Sequence, residues 1–475
     1  MTPSIISPRP VPGPRPLPLF KDRLNVFRFA KDPVGHCVAL HGKYGAVAAL
    51  VTDKPKAMIF AFGDEFNHQV LSDPELFCSP GFLRFPVEKD SAVVRLNTTL
   101  VSMNGAQHKQ QRRLVQPAFH QKQVAGYHQD MVQAIETFLM GWQGRGSLNM
   151  FKEMKRLTLV VATKILFGID TSAEADRFGR LTSRWLDLLF NPLVQLVPRD
   201  LAGLPYREIL RLSDELDALY RGMIESKRTS TADQRDVLAM LIQTHDEDST
   251  RLNDAELIGY ANSFFVAGHD STATSLTWVL FLLAQHPQIY ADLLDELEGE
   301  LHGEIPSLEQ LGRLPLLDRV VKETLRLLTP SPVIGRKTTA ACSIGGYDIS
   351  AGTPVMLSPY ITHRNSELYP EPERFRPERW ANLHPSTYQY LPFGAGVHMC
   401  LGSTFALLEL KLVVAAVVQR YRLRVEPDAQ INRIVRAFLA PRDGMPMLLA
   451  PQDRQFQRVP VRGNIHDMVD LHSGE

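Results

Sequence analysis

Cysteine is scarce in this chain, with four in 475 residues, and that excludes a disulfide-built scaffold. Cys37, Cys78, Cys342 and Cys400 share no C-x-x-C spacing, so a paired-thiolate zinc site is excluded too. A surplus of charge is also missing: 52 basic residues face 52 acidic ones, which leaves no electrostatic footprint for nucleic acid. No apolar run reaches the ~20 residues of a membrane-spanning helix. Internal repeats and low-complexity tracts are absent. The start, Pro8-Arg9-Pro10-Val11-Pro12-Gly13-Pro14-Arg15-Pro16-Leu17-Pro18, is too rich in proline for the core of a signal peptide. The chain is therefore expected to be cytoplasmic and monomeric, with no membrane anchor. It divides into a proline-rich segment over 1–20, one domain over 21–451 and a polar tail over 452–475.

What is present centres on Cys400. It lies in Phe393-Gly394-Ala395-Gly396-Val397-His398-Met399-Cys400-Leu401-Gly402, directly ahead of an apolar stretch without proline that begins at Ser403. A thiol in water ionises near pH ~8.5, and a helix N-terminus favours the thiolate through its unpaired N–H groups and positive dipole end. The glycines Gly394, Gly396 and Gly402 suit a backbone that a flat ligand approaches closely. A cysteine packed as a small hydrophobe is the plain alternative. A histidine-activated nucleophile is another, although no protease signature surrounds Cys400.

Apolar residues recur at helical spacing over 129–142, 152–167, 215–227, 254–285, 316–328 and 403–421. Strand signals cluster at 46–51 and 57–62, around a Thr52-Asp53-Lys54-Pro55 turn, and within 342–357. The pattern predicts a mainly α fold with a small β subdomain. Residues 365–397 have little periodicity, and an irregular stretch of that length is usually functional.

The 254–285 helix opens with Asn253 and Glu256, a capping-box spacing, and closes at His286-Pro287. Its middle, Ala267-Gly268-His269-Asp270-Ser271-Thr272, sets a glycine, a carboxylate and hydroxyls between apolar flanks. Glycine there costs about 1 kcal/mol against alanine, and an unsatisfied buried polar group about 1–3 kcal/mol. Such a cluster marks a site, unless the hydroxyls merely bond back to helix carbonyls on a solvated face.

Taken together, Phe-x-x-Gly-x-x-x-Cys-x-Gly over 393–402, Ala267-Gly268-His269-Asp270-Ser271 and Glu323-Thr324-Leu325-Arg326 resemble the signatures of the cytochrome P450 haem-thiolate monooxygenases. The resemblance covers about residues 9 to 450 and implies the P450 fold, with its long central helix over the haem. It implies haem b (iron protoporphyrin IX) with the Cys400 thiolate as proximal ligand, and contacts from Phe393, Gly394 and Gly402. Asp270 and Ser271 would be the acid and alcohol that deliver protons during dioxygen activation. Serine stands where threonine is usual, and Thr272 could share the role. Glu323, Arg326 and Arg379 would form a structural triad, while His108, Arg112, Arg336 and His398 would meet the haem propionates. His398 stands where many members carry arginine.

By family position, the substrate pocket would be lined from 82–103, 186–204, 264–267, 332–334 and 437–439. Phe264, Ala267, Gly268, Val333, Ile334 and Phe438 are the candidates named. The implied reaction inserts one oxygen atom from O2 into a hydrophobic small molecule such as a fatty acid, a terpenoid or a steroid-like compound. Electrons would come from an external ferredoxin and ferredoxin reductase, or from a flavodoxin-type donor. A peroxide-using haem-thiolate enzyme and a haem-binding sensor without turnover are the alternatives.

Overall fold

The structure is a computed structural model that describes residues 10–16, 23–52, 54–81, 86–169, 172–191, 193–194, 197–230, 235–244 and 251–471. Pocket positions 82–85, 192 and 195–196 lie outside the described residues, as do 1–9 and 17–20 of the proline-rich segment. The chain forms two compact units. One draws on Met1–Gly81, Arg326–Arg374 and Leu383–Cys400, the other on Phe82–Leu325, Phe375–Asn382 and Leu401–Glu475.

The first unit is built on a sheet of β1 (Val47–Ala49), β2 (Ile59–Ala61), β3 (Phe77–Cys78), β4 (Ile334–Thr338) and β5 (Pro354–Leu357), in the order β1-β2-β5-β4-β3. Only the β2–β5 pair is parallel. Successive residues enter opposite apolar clusters: Val47, Ala49, Ile59 and Ala61 pack in one, Ala48 and Phe60 in the other with Cys37 and Leu40. A sheet covered on both faces explains why these strands are continuously apolar rather than alternating.

The second unit is helical. Its main helices are α1 (Gly105–Val115), α2 (Met150–Phe167), α3 (Ser172–Leu189), α4 (Pro205–Thr229), α5 (Asp254–Gln285) and α6 (Ser403–Arg420). The expected bounds of α5 hold at both ends. Asn253 accepts from the Glu256 N–H at 3.0 Å, Glu256 accepts from the Asn253 N–H at 2.9 Å, and Pro287 opens the next helix. At 1.5 Å per residue α5 is roughly 50 Å long. Helix α4 begins ten residues ahead of the expected 215, with Pro205 in its first turn, where a missing N–H costs nothing. Helix α3 was not expected. The charges of its outer face masked the buried stripe Phe178, Thr182 and Trp185.

Residues 452–471, read from sequence as a polar tail beyond the domain, pack onto this second unit and bury Val461, Ile465, Met468, Val469 and Leu471. Polar residues between those positions diluted the apolar signal.

Candidate active site

The Cys400 loop is closed by its own backbone. The Cys400 N–H donates to the Phe393 carbonyl at 2.8 Å, Gly394 donates to Leu391 at 3.1 Å and Met399 to Gly396 at 3.0 Å. Gly396 has φ 71°, and a Cβ there would fall 2.1 Å from the Leu71 carbonyl oxygen, so no other residue fits. Cys400 is exposed, and Phe393 and His398 are half-buried.

Behind the loop lies a buried histidine that sequence reading missed. His363 Nδ1–H donates to the Arg326 carbonyl at 3.1 Å, and Nε2 accepts from the Leu391 N–H at 2.8 Å. Those bonds fix one neutral tautomer. Burial, then the nearby Arg326 guanidinium, lowers its pKa to about 3.

The irregular stretch is held by two fully buried charges. In the first unit, the Arg326 guanidinium donates to the carbonyls of His363 and Pro372 at 2.8 Å and of Arg374 at 3.2 Å, and it sits over the Tyr369 ring. In the second unit, Glu323 accepts from Arg379 Nε at 2.9 Å, Trp380 Nε1 at 2.9 Å and the Arg376 N–H at 3.0 Å. Arg379 was the expected partner of Glu323. Trp380 was not anticipated, although it adjoins Arg379 in sequence.

On α5 the residues Phe264, Ala267, Gly268 and Ser271 follow helical spacing and form an accessible stripe on an otherwise largely buried helix. Ala267 is exposed, and a Cβ on Gly268 would meet nothing within 4 Å. The Ser271 hydroxyl donates back to the Ala267 carbonyl at 2.5 Å, the local bond raised above as the plainer reading of this serine. Thr272 is buried, and its hydroxyl has no hydrogen-bond partner among the described residues.

Asp270 lies off that stripe, toward α2. Its Oδ1 is 2.9 Å from Lys155 Nζ and 3.7 Å from His269 Nε2. His269 stacks on Phe265, and its Nδ1 is 2.9 Å from the Thr158 hydroxyl. Burial lowers the His269 pKa to about 4, against the opposing pull of Asp270. Nothing local in the sequence marked Lys155 or Thr158, which reach α5 from more than a hundred residues away.

The remaining candidates are spread over both units. His108 is buried and Arg112 half-buried on α1, whose Gln111 binds Glu256 at 2.7 Å and the Tyr260 hydroxyl at 2.8 Å. Arg336, on β4, donates to the Gly335 carbonyl at 2.8 Å and has no acidic partner among the described residues; burial lowers its pKa. Val333 and Ile334 beside it are half-buried, as is Phe438.

These residues suit a large, flat, anionic group with a metal to be ligated. Within the first unit, Cys400 offers an exposed sulfur, Gly394 leaves open space where a Cβ would stand, and Arg336 keeps a desolvated cation available for a carboxylate. A helical enzyme with such a thiol loop falls in the haem-thiolate class.

The comparisons agree. The profile described as Cytochrome P450 matches residues 11–448, and the chain belongs to the cytochrome P450 family, as a haem-dependent monooxygenase with cysteine thiolate ligation. Among its relatives, the chain is 33% identical over 386 residues to cyclooctat-9-en-7-ol 5-monooxygenase of Streptomyces melanosporofaciens, covering 79% of this chain and 82% of that one. It is 30% identical to pentalenene oxygenase of Streptomyces avermitilis, covering 78% and 83%. The fold is similar to that of a retinoic acid-bound cyanobacterial CYP120A1, with a TM-score of 0.82 over 94% of this chain and 100% of that one, at 23% identity. No helix among the described residues is long and apolar enough to cross a membrane.

Proposed function

We propose that this P450 oxygenates a cyclic terpenoid, with electrons from a separate ferredoxin and its reductase. The observation that carries the reading is the α5 stripe of Phe264, Ala267 and Gly268, apolar apart from the hydroxyl of Ser271. Such a surface binds hydrocarbon through burial and offers no partner to a carboxylate. Phe438, in the same unit, adds apolar surface of the same kind. Two relatives named for cyclooctat-9-en-7-ol and for pentalenene favour a terpenoid over a fatty acid or a steroid.

Haem, when bound, supplies the redox chemistry that activates dioxygen. Cys400 would hold it through sulfur, Phe393 would shield that sulfur, and Gly394 and Gly402 would allow close approach. Arg336 and His398 in the first unit, and His108 and Arg112 in the second, are the kinds of cation and N–H donor that carboxylate side groups would require. Asp270 is the proton donor. Lys155 holds its carboxylate on the α2 side; on leaving Lys155 the carboxylate takes up a proton from solvent, and as the acid it gives that proton on through the Ser271 hydroxyl, which lets go of its own in turn.

The test is a titration of purified holoenzyme with pentalenene, cyclooctat-9-en-7-ol, palmitate and progesterone, read by the haem spectral shift and followed by turnover with ferredoxin and reductase. A cyclic terpene is expected to bind at least tenfold more tightly than palmitate. Preferential binding and turnover of palmitate would overturn the substrate assignment.

A further inference from the structure

The segment that follows the family match grips a hairpin in the second unit. The hairpin pairs β6 (Arg433–Val435) with β7 (Leu439–Pro441), and its connection carries Phe438. Its outer side is tied to α3 by Arg436 and Asp187 at 3.0 Å, and its inner side to α5 by Trp278 Nε1 and the Leu439 carbonyl at 2.9 Å. Both ties act near the tip. The base is held by residues that lie beyond 448, where the family profile stops.

That hold is dense and two-sided. The Arg462 N–H donates to Ala429 at 3.0 Å, the Ile431 N–H donates to Arg462 at 2.7 Å, and the Ile465 N–H donates to Ile431 at 3.2 Å. Asn464 then works in both directions: its N–H donates to Asn432 Oδ1 at 3.1 Å, and its Oδ1 accepts from the Arg433 N–H at 2.6 Å. The Arg442 N–H donates to the Asn432 carbonyl at 2.7 Å, so the next pair, Arg433 and Pro441, is a non-hydrogen-bonded position of the β6–β7 register at which the Arg433 N–H points away from its partner strand and toward Asn464. Gly463 has φ 113°, and a Cβ there would stand 2.3 Å from the Ile431 carbonyl oxygen, so this contact requires glycine. Ile465, Met468, Val469 and Leu471 anchor the segment by burial, and Gln285 at the end of α5 donates to the Val459 carbonyl at 3.0 Å.

We infer that residues 459–471 are a strap that sets the position of the β6–β7 hairpin, and through it of Phe438, so that Asn464 is a positioning residue for substrate orientation. This rests on the reading of Phe438 as a substrate-facing residue. The strap itself stands on geometry alone.

Two measurements on holoenzyme variants separate the two claims. Amide hydrogen exchange over 433–441 is expected to quicken at least tenfold in Asn464→Leu, which loses the acceptor for Arg433, and to stay near wild type in Asn464→Asp, which keeps it. Exchange in α2 should not change. Asn464→Ala also loses the acceptor, carries the same expectation as Asn464→Leu and is read if the larger substitution yields no folded holoenzyme. Exchange over 433–441 that matches wild type in these variants would overturn the strap.

The second measurement is the ratio of oxygenated regioisomers formed from pentalenene, together with its spectral binding constant. Asn464→Leu should shift the ratio in the same direction as Phe438→Ala and weaken binding about tenfold, with Asn464→Asp restoring both. A shift with Phe438→Ala but none with Asn464→Leu would overturn the positioning role and leave the substrate reading intact. No shift with Phe438→Ala would remove the substrate reading, while hydrogen exchange still decides the strap.

Discussion

Two buried histidines show how differently the two units treat ionisable chemistry. His363, behind the Cys400 loop, spends both ring nitrogens on backbone groups, the Arg326 carbonyl and the Leu391 N–H. His269, on α5, spends one on the Thr158 hydroxyl and turns the other toward an Asp–Lys pair. Behind the thiol loop, then, the buried imidazole is locked to main chain at both nitrogens and cannot swing. Around Asp270 they are side chains facing side chains, with Lys155 reaching solvent. The first arrangement suits a ligand that must not move, and the second suits a proton that must.

The sharpest way to break the contrast is Cys400→Ala. Loss of the reduced carbon monoxide spectrum characteristic of thiolate-bound haem is expected to be complete, and a retained spectrum would refute ligation by this residue. Glu323→Ala comes next, because it strands Arg379 and Trp380 and should cost about 3–5 kcal/mol. Urea denaturation of the variant and its haem content after purification measure that loss. Asp270→Asn belongs to the other side of the comparison. It should leave haem content and melting temperature close to wild type while slowing product formation by about 10²–10⁴. Stopped-flow turnover with a ferredoxin donor checks this, and a destabilised variant with an unchanged rate would reverse the distinction.

The smallest expected effect comes from pH. Both histidines are depressed below the ordinary ~6.5, so the unfolded chain takes up these protons first as pH falls. The stability they contribute is fully present above about pH 6.5 and is lost on acidification, through about 4 for His269 and about 3 for His363. Melting curves of His269→Gln and His363→Gln across that window should be flatter than wild type. Holoenzyme spectra should show haem loss at the acid end with His363 intact and a gentler fall with His363→Gln.

How much was legible in the sequence depended on whether a signal was local. The bounds of α5 are written in Asn253, Glu256 and Pro287, and the Cys400 loop in glycine spacing, so both could be read directly. Glu323 and Arg326 were recognisable as a pair, and Arg379 as the partner of Glu323. Trp380 and the three carbonyls around Arg326 were not, because backbone acceptors leave no mark on residue identity. Lys155 and Thr158 sit on α2 at ordinary helical positions, and only the packing of α2 on α5 gives them meaning. His363 sits in a short helical turn without periodicity. The segment after 451 failed for the opposite reason, since it has a buried face but too few apolar residues in a row to announce one.

The grip of residues 462–465 on the strand before Arg433 bears on how this enzyme should be engineered. A purification handle or a fused reductase appended directly after Leu471 would load the segment within six residues of Ile465, and mechanical drag there would reach the hairpin. Attachment at the opposite terminus avoids the difficulty, so activity differences between the two layouts should be traced first to this grip, before expression level is blamed.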